Sequence, residues 1–164
     1  MKHRRGTTLA AVALCVVTLT GCARVASIGA VAPKAAADYI GQDPSVHTVL
    51  VHETNIAKTF ADSYYADADI NLRTAPEDPQ RLLDRTLQAA WATRMPHHPE
   101  GVFIHVEGPG KDGFPLDKDA LADAGWTDAV PDDSNNERTK LILVPERLLE
   151  KKWGGWPGKR PDGL

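Results

Sequence analysis

Asp67-Ala68-Asp69-Ile70-Asn71-Leu72-Arg73 alternates apolar side chains with charged or amide ones. A period of two is that of a β-strand with one dry face and one wet face. A few residues on the period changes. Asp78 is a good N-cap with Pro79 at the first helical position, and Leu83, Leu87, Ala90 and Trp91 line one face of the helix they open. Gln80, Arg81, Asp84, Arg85 and Gln88 fall elsewhere, and the helix should stop before Pro96. A strand needing cover on one side, followed by a helix with one apolar stripe, predicts a sheet with helices packed against it.

The flanking sequence extends that pattern in both directions. Val46 to His52 is rich in β-formers and reads as a strand. Residues 55–66 fit two readings. Ile56, Phe60 and Tyr64 recur every four residues as on a helix, while Thr59 to Tyr65 also suits a strand returning in a hairpin. Downstream, Val102, Ile104 and Val106 alternate inward in a second strand, after the polar loop Pro96 to Gly101. A short helix is capped by Asp117, with Leu116 and Leu121 placed as a hydrophobic staple and Gly125 ending it. Pro131 to Glu137 is a polar loop, Thr139 to Val144 a last strand, and Pro145 opens a helix through Trp153 that Gly154 closes. The fold class expected is α+β, a small two-layer sandwich of about four strands, mostly antiparallel or mixed, with helices on one face. A ferredoxin-like layout is one way to build it.

The N-terminus carries a different message. Met1-Lys2-His3-Arg4-Arg5 is positively charged, and Thr7 to Leu19 is apolar but too short for a bilayer core that needs about 20 residues. Leu19-Thr20-Gly21-Cys22 then resembles the lipobox of bacterial lipoproteins, a likeness confined to the first 22 residues. The resemblance implies cleavage between Gly21 and Cys22, a diacylglyceryl group on the Cys22 sulfur and, in many such proteins, an N-acyl chain. Two acyl chains give stable attachment where one does not, so the expected location is the outer face of the cell membrane. Residues 22–43, with small side chains and Pro33, read as a flexible tether. Residues 44–157 read as the single domain, and 158–164 as a frayed end.

Composition narrows the functions. Loss of Lys2, Arg4 and Arg5 takes 19 basic side chains to 16 against 22 acidic, a formal charge of −6. Nucleic-acid binding needs clustered cations and is not expected. Cys15 falls in the leader and Cys22 takes the lipid, so no disulfide, thiol nucleophile or Cys-ligated metal is expected beyond them. Ser27, Ser45, Ser63 and Ser134 lie in neither GxSxG nor SxxK, and Gly108-Pro109-Gly110-Lys111 lacks the spacing of a phosphate loop.

Three groups of residues remain as candidates. His97, His98 and His105, joined by His47 or His52, suit a metal such as Zn²⁺ by ligand type, though no HExxH or i, i+4 His pair sets their geometry. On the wet face, Asp67, Asp69, Asn71, Arg73, His105 and Glu107 would meet if their strands are neighbours, orienting His105 or binding a cation. Lys151, Lys152, Trp153 and Trp156 suit a membrane interface or docking on another envelope component, and equally suit a capped helix end with Trp153 in the core. The expectation is a non-catalytic binding or accessory module without a cofactor, partnered by the membrane and by another envelope protein. A metal-dependent protein using His97, His98 and His105 is the alternative.

Overall fold

In this computed structural model, residues 30–115, 117–131 and 139–164 are described. The signal peptide, the lipobox with Cys22, Leu116 and most of the 131–137 loop lie outside them. The alternating stretch around Asp67 is an interior strand, β2 (Ser63–Leu72). Antiparallel to it on one side runs β1 (Val46–Ile56), and parallel on the other runs β3 (Gly101–Glu107). Beyond β3 come β5 (Thr139–Pro145), antiparallel, and the two-residue edge β4 (Val130–Pro131). The expected α+β sandwich therefore carries a five-stranded mixed sheet in the order β1-β2-β3-β5-β4. It is not laid out as the ferredoxin-like β-α-β-β-α-β, because β1 and β2 form a hairpin and one parallel pair alone needs a crossover.

The crossover is α2 (Pro79–Trp91), whose start is fixed by Asp78 accepting from the Arg81 amide at 2.9 Å. Leu82, Leu83, Leu87, Ala90 and Trp91 are fully buried against the dry sheet face, where Ala66, Ala68, Ile70, Leu72, Val102, Ile104, Val106, Ile142 and Val144 meet them. Each of the larger side chains contributes about 1.5–3 kcal/mol by leaving water. The helices α3 (Lys118–Asp123) and α4 (Glu146–Trp153) join the same layer. Trp126, just after α3, donates its indole N–H to Asp84 of α2 at 3.1 Å and packs 5.5 Å from the Trp153 ring of α4.

Residues 55–66 are the hairpin: β1 runs to Ile56, the chain turns, and β2 begins at Ser63. Phe60, the middle of the apparent helical period, is 99% exposed at that turn. Two boundaries differ from expectation. Part of the expected 22–43 tether is α1 (Pro33–Ile40), with Val31, Ala36 and Ile40 in the core and Val31 bridged to Thr93. Pro at the first turn and a run of alanines favour a helix once an apolar face exists to receive it. Arg85 of α2 ties α1 down by donating to the Tyr39 carbonyl and lying 4.1 Å over its ring.

The expected frayed end also packs. The Gly158 amide donates to Trp91 O at 3.2 Å, Lys159 to Trp153 O at 2.8 Å, and Pro161 is buried. A Cβ at Gly158 would lie 2.2 Å from Trp91 Cδ1, so hydrogen alone permits this crossing. Gly158→Ala should therefore cost about 1–3 kcal/mol, the usual cost of overpacking a filled site, read as a shift of the denaturant midpoint. An unchanged midpoint would mean that the tail does not cross Trp91 in solution.

Candidate functional site

The four α-helices lie on the dry face, and among the described residues no α-helix covers the other. On that open face the register places side chains in rows across the strands. Leu50, Asp69, His105 and Leu141 form one row, and His52, Asp67, Phe103 and Leu143 the next. Two carboxylates two residues apart on β2 are thus flanked by an imidazole from each neighbouring strand. The condition set by the sequence, that the strands bearing Asp67, Asp69 and His105 be neighbours, is met.

Asp67 is the centre. It is only 4% exposed, its Oδ2 accepts from Thr54 Oγ1 at 2.8 Å, and His105 Nε2 stands 3.3 Å from the same oxygen. His52 Nε2 lies 4.0 Å from Asp67 Oδ2, and His52 Nδ1 lies 3.7 Å from Asp69 Oδ2. Asp67 Oδ1 and His52 Nδ1 are buried and have no hydrogen-bond partner among the described residues. A buried carboxylate oxygen without a donor is costly, of order 1–3 kcal/mol or more. The electrostatics are coupled. Hydrogen bonding to Asp67 holds the His105 proton above the ordinary imidazole range, against burial, which acts the other way. Burial and then the Asp67 charge push the Asp69 carboxyl up. Beside this cluster a groove of about 430 Å³ is lined by Thr48, Leu50, Asn71 and Glu107 together with Asp69 and His105.

The other histidines are elsewhere. His97 is held at 2.9 Å by Glu53, both through its backbone amide and through Nδ1, and stacks on Tyr64 at 3.9 Å. Glu53 pairs in register with Ala66, an inner-face position, so His97 lies on the helix side of the sheet. His98 meets Glu146 at 2.6 Å and the edge of Trp156 at 5.3 Å. The expected set of His97, His98 and His105 is therefore not assembled, because the first two engage partners on the helix side and the third lies on the open face. His47 is exposed at the start of β1. Asn71 is in line with Asp67 and Asp69, whereas Arg73 turns back to donate to Val46 O at 2.6 Å.

Two contributors were missed by the sequence reading. The sequence groups His52 only with the loop histidines and gives Thr54 no role. The signal existed, since both sit opposite buried Val51 in the alternation of β1. At the C-terminus, Trp153 and Trp156 are packed against the core, Trp156 donating to Thr93 O at 3.1 Å, and Lys152 is paired with Asp84 at 2.8 Å. The aromatic rings are engaged within the fold, as the helix-end reading of that segment has it, and Lys151 remains exposed.

In comparisons with protein-family models, curated proteins and solved structures, nothing matches this chain.

At the foot of the open face, Glu100 accepts from Ser63 Oγ at 2.7 Å and Tyr65 Oη at 3.4 Å, with Lys58 at 3.5 Å. The Ser63 hydrogen bond, ahead of the Lys58 charge, holds the Glu100 carboxyl below its usual range. A carboxylate with a depressed pKa adds stability above its unfolded value, and that stability is lost as pH falls through the depressed value. Ser63→Ala should move the Glu100 midpoint in a carboxyl-detected NMR titration back up toward the ordinary glutamate range. A midpoint that stays depressed would place the cause elsewhere.

Proposed function

We propose that this chain is an exported lipoprotein, held on the outer face of the cell membrane through Cys22, whose domain is a binding or accessory module of the envelope working through the open sheet face. The observation that carries the binding part is that face itself. Its centre is a buried, under-partnered Asp67 among two imidazoles and a second carboxylate, and around them stand Phe103, Leu143 and the exposed Leu50 and Val130, at 57% and 58%. A few convergent polar groups set among apolar side chains are the usual lining of a ligand-binding site. Binding is favoured over catalysis because the cluster stands in an open groove, where a substrate would stay wet and fixed dipoles would act weakly. The anchoring part rests on the order of charge, apolar segment and lipobox in residues 1–22.

Fractionation of cells producing the wild type and Cys22→Ala tests the anchor. The wild type should remain with the membrane and carry the mass of a diacylglyceryl group on Cys22, while the variant should leave the membrane fraction. If Cys22→Ala alters neither location nor mass, the anchored reading is wrong.

A further inference from the structure

We infer that Asp67, Asp69 and His105 form a binding site for a divalent first-row transition cation, with Zn²⁺ the fitting probe. One ligand atom from each of the three residues lies within 4.8 Å of the others, a constellation found once among the described residues. Zn²⁺ bonds of about 2.0–2.2 Å put tetrahedral ligand atoms roughly 3.3–3.6 Å apart. His105 Nε2 and Asp67 Oδ2 already stand at 3.3 Å. Closing the rest needs a rotation of Asp69, whose side chain is 46% exposed.

A second observation points the same way. Asp67 is nine-tenths buried and more, yet its Oδ1 lacks a donor, and His52 Nδ1, buried on the other side of the carboxylates, lacks one too. A cation between the strands would satisfy the carboxylate, with His52 standing beside the three ligands on the β1 side. Thr54 Oγ1, donating to Asp67 Oδ2 at 2.8 Å, orients the ligand as outer partners of metal sites do. The donor set selects the class of ion. Imidazole nitrogen beside two carboxylates suits Zn²⁺, Mn²⁺ or Fe²⁺, whereas Ca²⁺ and Mg²⁺ take oxygen donors alone. Rigid pleated strands hold the three ligands on one side of the ion, leaving its outer side for water or for a group presented by a partner.

This site rests on the open face being the working surface, but not on the anchor, so the two fail separately. The test is calorimetric titration of Zn²⁺ into the full chain, extracted in detergent without a histidine tag and stripped with chelator. One Zn²⁺ per chain is expected. Asp69→Asn and His105→Gln should each weaken it by at least about tenfold, the lower end of what even an outer partner costs. His97→Gln and His98→Gln should leave the affinity unchanged. Thermal unfolding in chelator checks that Asp69→Asn, a half-exposed position, keeps the fold. No bound Zn²⁺, binding that survives both Asp69→Asn and His105→Gln, or binding lost with His97→Gln would each overturn the assignment. Loss of Zn²⁺ binding with the Cys22→Ala protein still leaving the membrane would remove the metal and leave the anchor standing.

Discussion

The strict alternation of β2 between two faces is the constraint on which the molecule depends. β2 is paired along both edges, so it can neither slip nor twist a single residue out of place without exchanging every inward side chain for an outward one. Ala66, Ala68, Ile70 and Leu72 go to the core, where α2 closes over them. Their small size at the near end, Ala66 and Ala68, leaves room for the bulk of the helix layer. Ser63, Tyr65, Asp67, Asp69 and Asn71 are thereby committed to the opposite face, whether or not water reaches them. Asp67 is buried as a consequence of its position in the middle of the sheet, between Phe103 and His52 in its own row.

That commitment connects stability to function. A carboxylate in an interior strand, walled by aromatic and imidazole rings, would be replaced by an apolar residue if packing were the only demand. Its presence with one oxygen unpartnered is a local conflict of the kind that working sites carry. The surrounding fold can carry the penalty because the other layer is fully formed. Trp91, Trp126, Leu82, Leu83, Leu87 and Leu149 are all sealed, and the C-terminal segment closes the end of α2 over Trp91.

The legibility of the chain follows the strength of each local signal. The helix α2 could be placed from Asp78, Pro79 and the leucine spacing because cap, first turn and stripe all agree. The hairpin could not be separated from a helix, since Ile56, Phe60 and Tyr64 share a helical period by coincidence and the solvent-exposed Phe60 is invisible to a pattern reading. Helix α1 was hidden in its own composition: small residues make a good tether and a good helix, and the difference lies in the groove that receives Val31, Ala36 and Ile40. At the site, Asp67, Asp69 and His105 were recognisable as one wet face, but the order of strands that brings His52 beside them was not. His97 and His98 misled for the opposite reason, since adjacency along the chain said nothing of the sheet standing between them and His105.

The packing of α1 has a consequence for reach. With Val31 already fixed in the core, nine peptide steps separate it from Cys22. Fully extended, such a leash spans at most about 30 Å, comparable to the domain itself. A lipid on Cys22 would therefore keep Val31, and with it the helix side of the domain, within about 30 Å of the head groups. Encounter would then be a search in two dimensions, and affinities too weak to matter in solution would suffice for any partner confined to the same surface.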